Sequence, residues 1–215
     1  MSIAKGGLSW IATSSVLAIC CMIGAVVSTG VIRSVFLFLS ILLVLLVILF
    51  VVFFRDPERD TGDGVVAVAD GRIREITHGN DSDVGECIVV STFMNLHNVH
   101  VNRMPLDGTV KKLIHHPGGH LPAFRKESEK NERVIVLLKT EIGMVKVIQI
   151  AGTVARRIVP YIHEGDTLKK GEKIGLIRLG SRVDVVLPAK AIKQVTVTLH
   201  KRIRAGEDTI AQLYD

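Results

Sequence analysis

A serine directly follows a glycine at Gly180-Ser181, with Leu179 and Arg182 on either side and the apolar run Val183 to Leu187 beyond. Glycine carries no Cβ, so the Gly180 carbonyl is the least hindered target a chain can offer to the next residue's hydroxyl. Such a pair can cut its own backbone. A Gly-Ser dipeptide is common in itself, so its company decides the reading. A serine hydroxyl is a poor nucleophile until a base takes its proton, and a histidine oriented by a carboxylate is the usual base. The span Phe93 to Gly108 concentrates His97, His100, Arg103 and several amides ahead of the Asp107-Gly108 turn, and Asp70 stands before Gly71 upstream. The histidines of this span are where a base would be sought.

These residues must be positioned by a chain of two compositional halves. The first acidic residue is Asp56, and the opening 54 residues carry only Lys5 and Arg33 as charged side chains. Leu8 to Thr29 and Ser34 to Phe54 are each apolar for roughly 20 residues, the length a helix needs to cross ~30 Å of hydrocarbon. Two such spans joined by a short link predict a transmembrane hairpin over 1–54, ahead of a catalytic domain over 55–215. A cleaved secretion signal fits less well, since the second stretch is far too long for the apolar region of one. The basic flank at Arg55 and Arg59 puts both ends of the hairpin, and the domain after it, on the cytoplasmic side of the cell membrane. The three cysteines, two of them adjacent in the first span, form no disulfide framework.

From Val65 onward the apolar residues come in short β-branched runs: Val65 to Ala69, Cys87 to Val90, Val134 to Leu138, Met144 to Ile150, Ile174 to Ile177, Val183 to Leu187 and Val195 to Leu199. Turn dipeptides such as Asp70-Gly71, Asp107-Gly108 and Lys170-Gly171 separate them. The expected fold class is mainly β, β-rich α+β, with a barrel- or sandwich-like catalytic domain behind the two-helix hairpin. One helix is expected near Ala123 to Arg133. The unit Glu164 to Gly175 resembles the turn-strand-turn element of biotinyl and lipoyl carrier domains, and Arg204 to Ile210 looks like a partial second copy; a scaffold role is favoured for both.

Five motifs in order now converge: Phe53-Phe54-Arg55-Asp56-Pro57, Ala69-Asp70-Gly71-Arg72-Ile73, the span from Phe93 to Gly108, Asn131-Glu132-Arg133 and Gly180-Ser181. Together they resemble the phosphatidylserine decarboxylases, in the short branch that includes the archaetidylserine enzymes. The resemblance implies a proenzyme that cleaves itself between 180 and 181 into a large chain (1–180) and a small chain (181–215). It also implies a pyruvoyl cofactor made from Ser181, which forms a Schiff base with the serine headgroup of a membrane phospholipid and accepts the electrons left when CO2 departs. His100 matches the first histidine of the family's motif and Asp70 its aspartate, which implies His100 as the base and Asp70 as its partner, with His97 next in line. The longer branch carries a second histidine three positions on, where this chain has Arg103, so that triad does not carry over intact.

Bland readings stand beside these. Asp70-Gly71 is also an ordinary turn. His97 and His100 differ by an odd number, so on one strand they would face opposite ways. Arg103 and Arg182 are candidates to clamp a lipid phosphate or substrate carboxylate, whereas Arg156 and Arg157 read as solvated surface. His115, His116 and His120, with His97 and His100, raise a membrane-anchored zinc metallopeptidase as the rival, and a non-enzymatic membrane adaptor is a third reading. No His-Glu-x-x-His motif supports the peptidase, and no metal is expected. The formal +6, less Lys5 and Arg33, leaves +4 on the later half, which suits an anionic membrane surface better than nucleic acid, for which no aromatic platform exists. The partners expected are the lipid, the membrane and the two chains of one proenzyme; a homo-oligomer stays open.

Overall fold

The computed structural model describes residues 2–119, 131–152, 157–178 and 181–214. Two compact units emerge, 1–58 and 59–215. In the first, β1 (Ser2–Ile3) is followed by helices α1 (Leu8–Val27) and α2 (Gly30–Phe53) and by β2 (Arg55–Asp56), which pairs back with β1. The helices have 20 and 24 residues, long and apolar enough to cross a bilayer. Large side chains such as Val26, Val31 and Phe38 are more than 60% exposed, a surface that water penalises and hydrocarbon does not. Small residues line the buried face of α1, namely Ser14, Ala18 and Ala25. At Gly24 an added Cβ would lie 2.9 Å from the Phe36 ring of α2. Close approach of small residues is how helices associate in lipid, where no hydrophobic force drives them together.

The second unit is built of strands: β3 (Val65–Val66), β4 (Gly71–Asp81), β5 (Gly85–Met94), β6 (Val101–Arg103), β7 (Gly108–His116), β8 (Arg133–Thr140), β9 (Gly143–Ile150), β10 (Ile158–Pro160), β11 (Thr167–Leu168), β12 (Lys173–Ile177), β13 (Ser181–Pro188), β14 (Ile192–Val195), β15 (Arg202–Ile203) and β16 (Thr209–Leu213). The main sheet runs β11-β7-β8-β9-β13-β5-β4-β15, and two three-stranded sheets run β10-β12-β6 and β14-β16-β3. All these strand pairings are antiparallel. The core gathers alternate residues of the sheets, among them Ile73, Val90, Val136, Val147, Val183, Val185 and Leu187, each fully or almost fully buried. The chain is thus mostly strand behind a two-helix hairpin, the class expected from its composition.

Local differences have local causes. The strand expected over Val195 to Leu199 ends at Val195. Beyond it Thr196 bonds to Ile210 and Thr209 through its backbone N–H and its hydroxyl, and His200 takes φ 66° to turn the chain toward Ile73. Conversely, β4 and β7 escape the apolar reading because most of their positions face solvent. The helix expected around Ala123 lies outside the described residues up to 130, and Arg133 opens β8. Both carrier-like units form turns, with Gly165, Gly171 and Gly206 at positive φ.

Candidate active site

β13 is central in the main sheet, with β9 on one side and β5 on the other. Its register sets Ser181 opposite Met94, and Val183 opposite both Thr92 and Gln149. Residues directly across an antiparallel ladder share a face, as do residues two apart on one strand. Ser181, Met94 and Gln149 therefore lie on the same, core-facing side of the sheet. β6 crosses this side and contributes Asn102. The Ser181 hydroxyl donates to Met94 Sδ at 3.5 Å, Asn102 Nδ2 donates to the same sulfur at 3.9 Å, and Gln149 Nε2 donates to Asn102 Oδ1 at 2.7 Å. All four side chains are fully buried.

His100 immediately precedes β6 and is also fully buried. Its Nδ1–H donates to the Asn98 carbonyl at 2.8 Å, which fixes the tautomer and makes Nε2 the basic nitrogen. A turn holds this segment: Asn98 N–H bonds to Asn95 O at 3.0 Å, and Asn95 N–H bonds to Asn98 Oδ1 at 2.8 Å. The Ile177 N–H reaches the His100 carbonyl at 3.3 Å, so the histidine backbone meets the chain four residues before Ser181. His97 lies in the exposed turn itself, so the two histidines are separated by a turn rather than by strand alternation.

Asp70 does not pair with His100. Its carboxylate accepts both terminal nitrogens of Arg59, one at 2.9 Å, and the Ala205 N–H at 2.8 Å. The pair is almost wholly buried, a bidentate clamp that ties the start of β4 to the turn after β15. Arg103 points to the opposite side of β6 from Asn102. Its Nη1 bonds to Gly171 O at 3.0 Å, and it lines a cleft of about 510 Å³ with Thr61, Lys170, Glu172 and Lys173. Arg182 lies on the outer side of the main sheet, bonded to Asp184 at 2.7 Å and to Ser91 at 3.2 Å. Burial pushes the Asp184 carboxyl up, and the bonds from Arg182 and Ser91 offset this only in part.

The structure thus buries both Ser181 and His100, joins the His100 backbone to the strand that leads toward Ser181, and engages Asp70, Arg103 and Arg182 in other contacts. Gly180, Arg156 and His120 lie outside the described residues. Met94, Asn102 and Gln149 were not singled out by sequence. Gln149 carried the available signal, an amide inside the apolar run Met144 to Ile150. Among the described residues no three His, Cys, Asp or Glu side chains converge as a metal site would need; His115 Nε2 lies 3.1 Å from Glu132 Oε1.

Comparison with known proteins shows the family. The family model described as phosphatidylserine decarboxylase matches residues 46–211. A protein of Methanococcoides burtonii, named as an archaetidylserine decarboxylase proenzyme, is 43% identical over 98% of this chain and 96% of its own length. One of Halobacterium salinarum with the same name is 47% identical over 76% of this chain and 81% of its own. A phosphatidylserine decarboxylase proenzyme of Streptomyces griseus is 55% identical over 63% of this chain and 62% of its own length. The chain belongs to the phosphatidylserine decarboxylase family and is a decarboxylase, a carboxy-lyase.

Proposed function

We propose that the chain is made as a membrane-anchored proenzyme, cleaves itself at Gly180-Ser181, and removes the carboxylate of a serine-headgroup phospholipid, phosphatidylserine or archaetidylserine, to leave the ethanolamine lipid. The observation that carries this reading is a fully buried serine, directly after a glycine, opening the central strand of a chain that matches the family over residues 46–211. In this reading 1–54 is the anchor and 55–215 the catalytic domain, on the cytoplasmic side. The zinc-peptidase and adaptor alternatives give way to family membership.

Cleavage begins when His100 Nε2 takes the Ser181 hydroxyl proton and Oγ adds to the Gly180 carbonyl carbon. Collapse of the adduct breaks the C–N bond; His100 returns the proton to the freed Ser181 nitrogen, and an ester joins the two residues. Loss of the Ser181 Cα proton then expels Gly180 as a carboxylate. Water addition to the resulting dehydroalanine and loss of ammonia leave a pyruvoyl group at position 181. That group supplies the electron sink for decarboxylation. It fits here because Arg182 to Pro188 are paired to β5, and Arg182 to Val186 to β9, which would keep the new terminus beside Met94. His100 delivers the proton to the carbon that loses CO2, with His97 as the second candidate. Arg103, offered to the lipid phosphate by the sequence, faces a cleft on the far side of β6 from Ser181, and Asp70 acts by anchoring the start of β4.

Denaturing electrophoresis with mass spectrometry tests the reading. Two fragments, 1–180 and 181–215, are expected, the smaller with a blocked N-terminus and a pyruvoyl mass. An intact chain that nevertheless releases CO2 from the lipid would overturn it.

A further inference from the structure

We infer that Met94, Asn102 and Gln149 form a positioning relay that sets the Ser181 hydroxyl for attack on its own chain. The inference rests on the self-cleavage reading above and names three residues that the reading does not require. A lone serine hydroxyl in an apolar pocket has three rotamers and few partners. Here it donates to Met94 Sδ at 3.5 Å. A thioether is a weak acceptor, so it orients the O–H without holding the proton against a base. Methionine has three rotatable bonds and would not by itself keep that sulfur in place. Asn102 does so, donating to the sulfur at 3.9 Å, and Gln149 in turn fixes the Asn102 amide at 2.7 Å.

The donor order along the relay is self-consistent. Gln149 gives its N–H to the Asn102 oxygen, which turns the Asn102 N–H toward sulfur. An amide flipped at either position would set two oxygens against each other, or an oxygen against the thioether. The three side chains come from β5, β6 and β9, so the relay forms only when the two sheets have docked. Attack by Ser181 thereby waits for a folded domain. In the step itself the Ser181 Oγ–C bond forms at Gly180, the Gly180–Ser181 C–N bond breaks, and the hydroxyl proton passes through His100 to the freed nitrogen. The relay residues exchange no proton; they hold the starting geometry.

The test uses the full-length protein in its membrane. Met94→Leu keeps the volume and removes the acceptor, a swap that packed cores tolerate. It should slow the appearance of the 181–215 fragment at least tenfold. Hydroxylamine attacks the ester and not the amide, so hydroxylamine-induced scission after Gly180 should slow by the same factor, with thermal unfolding little changed. Gln149→Met, acting one step further back, should slow both by a smaller factor. Wild-type rates of hydroxylamine scission in both Met94→Leu and Gln149→Met would overturn the inference. So would a Met94→Leu chain that forms ester normally but eliminates slowly, since the relay acts before the ester. A wild-type chain that never yields the fragment would instead sink the self-cleavage reading.

Discussion

Ser181 and His100 carry the sharpest expectations at the level of single residues. Ser181→Ala should leave one uncut chain with no decarboxylase activity on a denaturing gel and in a CO2-release assay; cleavage persisting at this bond would remove the nucleophile. His100→Ala should slow fragment formation by roughly 10²-fold or more, the scale of a lost general base, whereas His97→Ala on its exposed turn should mature normally. Both main residues were legible in sequence, the serine from its glycine neighbour and the histidine from its polar company. Asp70 was legible as a residue of interest but not by its partner. Arg59 lies eleven positions upstream and reads as part of a basic flank, and only the fold shows the two side chains clamped together. Met94 and Asn102 lay unremarked within the polar span and Gln149 showed only as an amide in an apolar run, because the partner of a buried amide or thioether comes from another strand.

Elements show the same division. Strands buried on both faces, such as β9 and β13, announce themselves as apolar runs, and their expected cores match the observed ones within a few residues. β4 does not, because it alternates Arg72, Arg74 and His78 with apolar positions and pairs as a long ribbon with β5. Gly71 opens that strand, and an added Cβ would meet the Phe93 carbonyl at 2.1 Å. Gly71→Ala should therefore force β4 and β5 apart beside Met94, at a cost of about 1–3 kcal/mol, lowering the melting temperature and slowing fragment formation together. At the far end of the same ribbon Lys146 bonds both oxygens of Asp81 at 2.6 and 2.7 Å and Asp83 at 2.6 Å. Partial burial would raise the Asp81 carboxyl, but bonds from Lys146 and from the Asp83 and Val84 N–H groups hold it below the ordinary 3.8. Burial would likewise lower the Lys146 ammonium, and the two aspartates hold it above the ordinary 10.5. A depressed acid stabilises above its unfolded value and loses that stability as pH falls; a raised base stabilises below its own and loses it as pH rises. The cluster should thus contribute between about pH 4 and pH 10. Lys146→Met should remove about 1 kcal/mol, discounted for the exposure of the aspartates. Denaturant melts should show that loss at pH 7 and a smaller one at pH 3.

For the whole molecule, the compositional break after the apolar stretches is legible in the sequence, while the pairing order of the sheets does not follow from any local pattern. Strand order depends on which distant runs meet, and β13 reaches β5 across almost 90 residues of chain. The internal contacts of 59–215 are its own, so this fragment expressed without the helices should fold in water and cleave itself. Its activity on lipid dispersed in detergent should survive, and its activity on intact vesicles should fall at least tenfold, because the anchor no longer supplies a high local concentration of substrate. Equal rates on both would deny the helices that purpose.

On the self-cleavage reading the small fragment 181–215 would bring β13, β14, β15 and β16, which add to two of the three sheets of the second unit, all but β10-β12-β6. Severing the backbone ahead of β13 therefore frees an end without freeing a piece. The nicked protein should travel as one body through a sizing column and come apart only under denaturant. Once denatured, it has lost the peptide bond that made two lengths one, and the 35-residue remnant cannot rebuild the middle of the sheet at its former intramolecular advantage. On the self-cleavage reading, maturation would be a one-way passage: the uncut precursor should unfold and recover, whereas the cut enzyme should refold poorly and with an order that depends on concentration.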